Sequence, residues 1–401
     1  MSEWKEYILG DIFKVKHGFA FKGTYITTVQ NNKILVTPGN FHIGGGFKSD
    51  KFKYLNSDEF PKEYILSPGD IVVTMTDLSK DSDTLGYSAK IPYTNNVHYL
   101  HNQRIGLLKF KNNNFEPDFI YWYLRTKEYQ AYIVGSASGT SIMHTSPSRI
   151  EEFVGLLPSS IDEQRAIASI LSSLDDKIVL LNRQNATLEK MAETLFRQWF
   201  VEEAKEEWEE TTLYESIKLI GGGTPKTSND NYWNGKIKWL SCGDIATNHK
   251  TIITTSEKTI SEEGIANSSA KLLPKFATII SARGTVGKYC ILSERMAFSQ
   301  SNYGILPKYD NCFFFTYLLI AFSVDELQSA AYGSVFDTIT TNTFKGITLK
   351  MPSINEVIQF EKVVYPYFMK ILNNQSQIRT LTALRDTLLP KLMSGEVRVG
   401  V

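Results

Sequence analysis

The sequence predicts an α+β protein in which two similar β-rich domains are separated by two long helices that pack as an intramolecular antiparallel coiled coil. Three observations predict it. The 401-residue chain states one plan twice, in the same order. Each copy closes on a run of apolar residues at heptad spacing, and the stretches before those runs are short apolar segments fenced by Gly, Pro, Asn and Asp.

The repeat begins at the N-terminus. "WKEYILGDIFKVKHG" from Trp4 corresponds to "WEETTLYESIKLIGGG" from Trp208, with Leu9 and Leu213, Lys14 and Lys218, and Gly18 and Gly222 in register. "TPGNF" (37–41) then matches "SCGDI" (241–245), and "TLGYSAKI" (84–91) matches "TVGKYCIL" (285–292). "GTSIMHTSPSRIEEFVGLLPS" (139–159) runs without a gap beside "GSVFDTITTNTFKGITLKMPS" (333–353). Each match is weak alone; their shared order identifies a duplication.

Within each copy, runs such as "KILVTP", "GDIVVTMT" and "RIGLLKF", or "IKWLS", "ATIISA" and "YGILP", read as short strands. Aromatic helices intervene at matching places, "FEPDFIYWYLRT" and "FFFTYLLIAFS". The domain boundaries expected from this pattern are 1–155 and 206–350 for the β-rich domains, and 156–205 and 351–401 for the helical segments. The acidic run "EEAKEEWEE" (202–210) reads as a solvated helix end and linker.

The helical segments carry the most regular pattern. Ile167, Leu171, Leu174, Ile178, Leu181, Asn185, Leu188, Ala192, Leu195 and Trp199 alternate steps of four and three, which places them along one seam of a helix. Phe360, Val364, Tyr367, Ile371, Asn374, Ile378, Leu381, Arg385, Leu388 and Leu392 repeat that seam at a constant displacement. Two equivalent helices can therefore pack on each other, with the polar positions Asn185, Asn374 and Arg385 fixing the register; the alternative is that each helix covers only its own domain. Ser173-Leu-Asp-Asp176 resembles a capping box and Pro366 lies near the equivalent point. A break is expected at both, with long helices from about 174 to 201 and about 366 to 393.

Composition narrows the function classes. With 42% hydrophobic and 21% charged residues, the chain can bury substantial cores and divide into domains. The opening "MSEWKEYILGDIF" lacks a basic segment followed by an apolar one, so it does not read as a secretory signal. The longest apolar run, "CFFFTYLLIAF" (312–322), falls short of the roughly 20 residues that span a bilayer and reads as a buried helix. Cys242, Cys290 and Cys312 show no paired spacing, as expected of reduced thiols in a cytoplasm. Lys plus Arg equals Asp plus Glu at 43 each, which offers no net positive field for nucleic acid unless a local patch or a basic partner supplies one.

Catalytic and metal signatures are missing. His98 and His101 form H-x-x-H without a carboxylate or cysteine set to complete a metal site. There is no G-x-S-x-G, no H-E-x-x-H, no [DN]-P-P-[YF] and no dinucleotide fingerprint. "SARGTVGKYC" (281–290) ends like a phosphate loop, yet Ala282 stands where the first glycine belongs and Tyr289 where the Ser or Thr belongs. Its counterpart "TLGYSAK" keeps the glycine, Gly86, and loses the lysine, so the shared element is a turn and the basic residues Arg283 and Lys288 belong to the second copy alone.

Two related but divergent domains held apart by helices suit a target read in two pieces. A helix of about 26 residues spans roughly 39 Å, on the order of 11 base pairs, or one turn of DNA. A structural adaptor that binds proteins through its β-rich domains, with the coiled coil as spacer, is the alternative.

The helical segments "LPSSIDEQRAIASILSSLDDKIVLLNRQNATLEKMAETLFRQWF" (157–200) and "RDTLLPKLMSGEVRV" (385–399), with "W-x-x-x-x-L-G-D-I-F" (4–13) and "S-A-R-G-T-V-G-K", resemble the specificity subunits of type I restriction-modification systems. The second copy departs in "NEVIQFEKV" (355–363), which lacks the usual E-Q-x-x-I run. The resemblance implies a chain with no catalytic activity of its own, bearing two target recognition domains that each read one half of a bipartite, asymmetric double-stranded DNA sequence. It implies that the helices set the gap and dock two modification subunits, and that restriction subunits join the complex. S-adenosylmethionine, ATP and magnesium would reside on those partners, with no cofactor on this chain.

Base readout needs Arg, Lys, Asn or Gln, and phosphate contact needs positive charge or backbone N–H groups. On composition, "GGGFKSDKFK" (44–53), "TDLSKDSD" (76–83) and "HYLHNQR" (98–104) are favoured in the first copy, naming Lys48, Lys51, Lys53, Lys80, His101, Asn102 and Arg104. In the second copy "GGGTPKTSNDNYW" (221–233), "SARGTVGK" and "SQSN" (299–302) are favoured, naming Lys226, Arg283, Lys288 and Asn302.

Overall fold

Both copies fold into the same pair of sheets in the computed structural model, which describes residues 3–77, 79, 83–139, 142–332 and 337–400. Lys80 and the parts of the matched stretches at 140–141 and 333–336 lie outside the described residues. The chain divides into two compact units, residues 1–179 with 379–401, and residues 180–378. Each unit thus takes one β-rich domain and part of both long helices.

In the first unit an antiparallel sheet runs in the order Phe13–His17, Ile105–Phe110, Ile71–Thr74, Ser88–Lys90. A second sheet runs Ile26–Thr27, Lys53–Leu55, Lys33–Val36, His98–His101, Ile65–Leu66, with Lys33–Val36 and His98–His101 parallel. Trp4–Ile8 pairs with Val154–Pro158. The second unit repeats this scheme: Ile217–Gly221, Asn302–Pro307, Thr278–Ser281, Tyr289–Leu292, Ile252–Ile253 in one sheet, and Lys258–Ile260, Trp233–Leu240, Met296–Phe298, Leu272–Leu273 in the other. Trp233–Leu240 and Met296–Phe298 are again parallel, as are Ile252–Ile253 and Tyr289–Leu292 here, and Glu209–Thr212 closes on Thr348–Met351.

Local chemistry repeats with the topology. Thr37 and Asn40 form a capping box after Lys33–Val36, and Ser241 with Asp244 forms one after Trp233–Leu240. The shared glycine is a turn in both units: Gly86 has φ +83° and Gly287 φ +78°, a region that disfavours residues bearing a Cβ. A Cβ would also press on Ile133 in one unit and Gln328 in the other.

The apolar run after Cys312 forms helix Phe313–Tyr332, with Phe314, Phe315, Tyr317, Leu318 and Ile320 buried. No described helix is long and apolar enough to cross a membrane. The first backbone N–H groups of this helix need an acceptor, and Glu361 provides it. Its buried carboxylate accepts from Phe314 N at 3.1 Å and Phe315 N at 2.8 Å.

The two long helices, Ile161–Arg197 and Ile354–Met393, are unbroken, which corrects the expected restarts. Ser173 does not cap: its hydroxyl donates back to Ile170 O at 2.8 Å, inside the helix. Pro366 removes one N–H, but it lies on the exposed face, where water can satisfy the carbonyl it leaves free. Val364, Phe368 and Ile371 around it are buried, and that burial offsets the roughly 3 kcal/mol proline penalty.

Packing is antiparallel within each unit. In the second, Asn374 meets Asn185 while Phe360 meets Phe196 and Phe200. In the first, Arg385 meets Asp175 while Arg398 meets Glu163. Ile167, Leu171, Ile178, Leu181, Asn185, Phe360, Val364, Ile371 and Asn374 are buried. Leu174, Leu188, Leu195, Trp199, Ile378, Leu381 and Leu388 are half-buried.

Candidate nucleic-acid interface

At one end of the sheets in the second unit, three loops converge because their strands are neighbours. The segment after Trp233–Leu240, the turn 282–288 and the segment 299–302 are joined by Ala282 N donating to Ser301 O at 2.9 Å and Thr285 Oγ1 to Cys242 O at 3.3 Å. Gly223 joins them through its N–H to Phe298 O and its carbonyl to Trp239 Nε1, 3.0 Å each. All three stretches favoured by composition therefore meet. Arg283 and Lys226 are exposed there and Lys288 is half-buried.

Asn302 is placed differently from the expectation. It is 1% exposed, its Nδ2 donates to Ser299 Oγ at 2.9 Å and Leu240 O at 3.4 Å, and its Oδ1 accepts from Cys242 Sγ at 3.2 Å. A side chain so enclosed cannot reach a base edge; it holds the loops together.

The first unit builds the corresponding end in the same way. Met75 N donates to Arg104 O and Thr145 N to Met75 O, while Asn40 Nδ2 holds Lys48 O and Lys51 O. A cleft of about 520 Å³ opens between the 38–48 loop and Asp77, Ser79, Asp83 and Thr84. Lys48 borders it, bridged to Asp50 at 3.4 Å, and Lys51 and Lys53 are exposed. Asn102 and Arg104 are half-buried, with Asn102 Oδ1 accepting from Arg104 N at 3.0 Å.

His101 is the second correction. It is 1% exposed, its Nε2 lies 2.8 Å from Ile105 O, and burial pushes its pKa down to about 4. Neutral and enclosed, it offers neither charge nor reach. His98, at the other end of the strand, is exposed. His42, on the 38–48 loop, is depressed mainly by burial and then by Lys48.

Where each helix joins its domain, one cluster occurs twice and was not singled out from the sequence. Trp4 Nε1 donates to Glu163, and Arg398 lies 2.8 Å from Glu163 Oε1 and over the Trp4 ring at 5.3 Å. In the second unit Trp208 Nε1 donates to Glu356 at 3.1 Å and Lys205 Nζ lies 2.6 Å from it. The Trp4 to Trp208 match pointed to these pairs; the displacement that carries Glu163 onto Glu356 also carries Lys205 onto Arg398, so the cation in each unit follows the end of the other copy's long helix.

The seam residues are buried or half-buried, and other apolar positions on the helices are exposed. Val179, Leu180 and Met191 on the first helix, and Ile354, Ile358 and Tyr365 on the second, are exposed apolar side chains.

Comparison with known proteins places this geometry. Residues 1–190 and 205–382 match the family described as "Type I restriction modification DNA specificity domain". The specificity subunit of the type I restriction enzyme HindI of Haemophilus influenzae is 24% identical, over 99% of this chain and 100% of its own length. The MjaIX specificity subunit of Methanocaldococcus jannaschii is 26% identical over 70% of this chain and 69% of its own. The crystal structure of the type I system S subunit from M. genitalium superposes with a TM-score of 0.64 at 17% identity, covering 98% of this chain and 96% of that one, a likeness of fold.

Proposed function

From the premise that this chain belongs to the type I restriction-modification DNA specificity family and is a non-catalytic specificity subunit, we propose that each β-rich unit reads one half of a bipartite, asymmetric double-stranded DNA target. The observation that carries this reading is the convergence, twice, of three chain segments at one sheet end with basic and amide side chains on them. The two ends differ in content: Lys48, Lys51 and Lys53 in one, Lys226, Arg283 and Lys288 in the other. Different side chains on one scaffold read different half-sites.

The antiparallel helices act as spacer. Their outward apolar residues dock two modification subunits, which bind S-adenosylmethionine and methylate adenine. Restriction subunits complete the complex with ATP and magnesium, and this chain holds no cofactor. The neutral charge of the chain fits such an assembly, because partners that surround the DNA supply phosphate contacts.

Exchanging residues 1–155 for those of a relative, with the modification partner co-expressed, tests the reading by methylation sequencing. One half-site changes and the other persists. A change in both half-sites, or no N6-adenine methyltransferase co-purifying with the chain, overturns it in favour of a protein-binding adaptor.

A further inference from the structure

The two long helices are copies, and the ion pairs at their ends obey the copy relation, Glu163 with Arg398 matching Glu356 with Lys205, yet the polar contacts inside the seam do not. The displacement that carries Ile167 onto Phe360 carries Asn185 onto Ile378 and Leu181 onto Asn374. In the second unit Asn374 Nδ2 donates to Asn185 Oδ1 at 2.9 Å, both side chains being buried. The equivalent positions, Leu181 and Ile378, are apolar. In the first unit Arg385 Nη1 lies 2.5 Å from Asp175 Oδ1; the equivalents, Ala192 and Phe368, are buried and apolar.

The consequence appears when like is paired with like. Two first helices packed in this register would set Leu181 of one against Asn185 of the other, twice. Two second helices would set Ile378 against Asn374 and Phe368 against Arg385, again twice. Each arrangement leaves buried amides without partners, and the second leaves guanidinium groups facing aromatic rings in place of Asp175. The observed arrangement instead pairs the two amides with each other and the guanidinium with Asp175.

We propose that this seam is a selective interface: each half of the chain accepts the other half and rejects a second copy of itself. Half-chains of one kind do not replace the missing half, and an assembled molecule always carries two different β-rich domains. The proposal does not rest on the DNA reading, since assembly is measured without DNA.

The test uses the full chain with a protease site inserted after Ala204, in the exposed linker. After cleavage the purified protein is unfolded in urea, refolded and weighed by native mass spectrometry. Co-expression of the two segments from separate messages gives the same readout without refolding. The mixed species is expected to exceed each like-with-like dimer by about tenfold or more, from the cost of buried unpartnered amides. A statistical 1:2:1 mixture overturns the proposal. Asn185→Ile recreates the Leu181 and Ile378 contact in a first-half dimer and is expected to raise that species several-fold; an unchanged distribution also overturns it.

Discussion

Asn374 donates its side-chain amide to Asn185 across 2.9 Å within the seam of the second unit, while Asn374 Oδ1 is buried without a partner among the described residues. Such a pair specifies register more than it stabilises. Asn374→Leu alone strands Asn185 and lowers stability by about 1–3 kcal/mol. Asn374→Leu with Asn185→Ile restores the wild-type urea midpoint or exceeds it; a double variant weaker than the single one contradicts this.

The duplicated tryptophan clusters differ in burial. Glu163 is 1% exposed, whereas Glu356 is half-buried and meets an exposed Lys205. Arg398→Ala, which removes the cation beside the buried Glu163, destabilises the first unit by on the order of 3 kcal/mol. Lys205→Ala, opposite Glu356, lowers stability by less than about 1 kcal/mol. Denaturation of the two variants side by side checks the ratio.

Glu361 predicts a pH dependence. Burial pushes its pKa up to about 7 although backbone N–H groups of the 313–332 helix pull it down. The folded state therefore holds a proton that the unfolded chain releases near 4.5. This contribution to stability is fully present below 4.5 and is lost as pH rises through 7. Glu361→Gln flattens the slope of melting temperature against pH in that window; an unchanged slope assigns it to another group.

The Arg283 side chain lies exposed on the turn 282–288, while its carbonyl accepts from Thr285 N and Ser281 Oγ, bonds that a substitution of the side chain keeps. Arg283→Ala leaves the far-ultraviolet circular dichroism unchanged and weakens binding to DNA carrying one half-site by about 1–3 kcal/mol if the guanidinium reads a base. Asn302→Ala, which loosens three loops, lowers the melting temperature as well. Titration of duplexes altered in one half at a time distinguishes the two effects.

Much of this was legible in the sequence because duplication leaves a record at every level. Gly86 and Gly287 matched as letters and prove to be the same positive-φ turn; the heptad positions named the enclosed face of both helices. Helix continuity was not legible, because Ser173 and Pro366 carry local propensities that the buried side chains of the seam override. His101 and Asn302 misled because residue type says nothing of which way a strand-end side chain points. Asp175 was hidden for the opposite reason: its partners Arg125 and Arg385 are distant in sequence.

The antiparallel pairing also sets how the spacer can be altered. One added heptad in the first helix alone breaks the Asn185 and Asn374 register, so lengthening requires a heptad in each helix at matched positions. That double insertion widens the gap between half-sites and leaves both half-sites as they were. Insertion in one helix lowers stability and gives no new, wider target.

The most direct measurement is methylation sequencing of cells that carry this chain with its modification partner. The account predicts N6-methyladenine at a single motif made of two different short sequences separated by a fixed number of unspecified bases. A continuous or palindromic motif, or methylation independent of sequence, would contradict it.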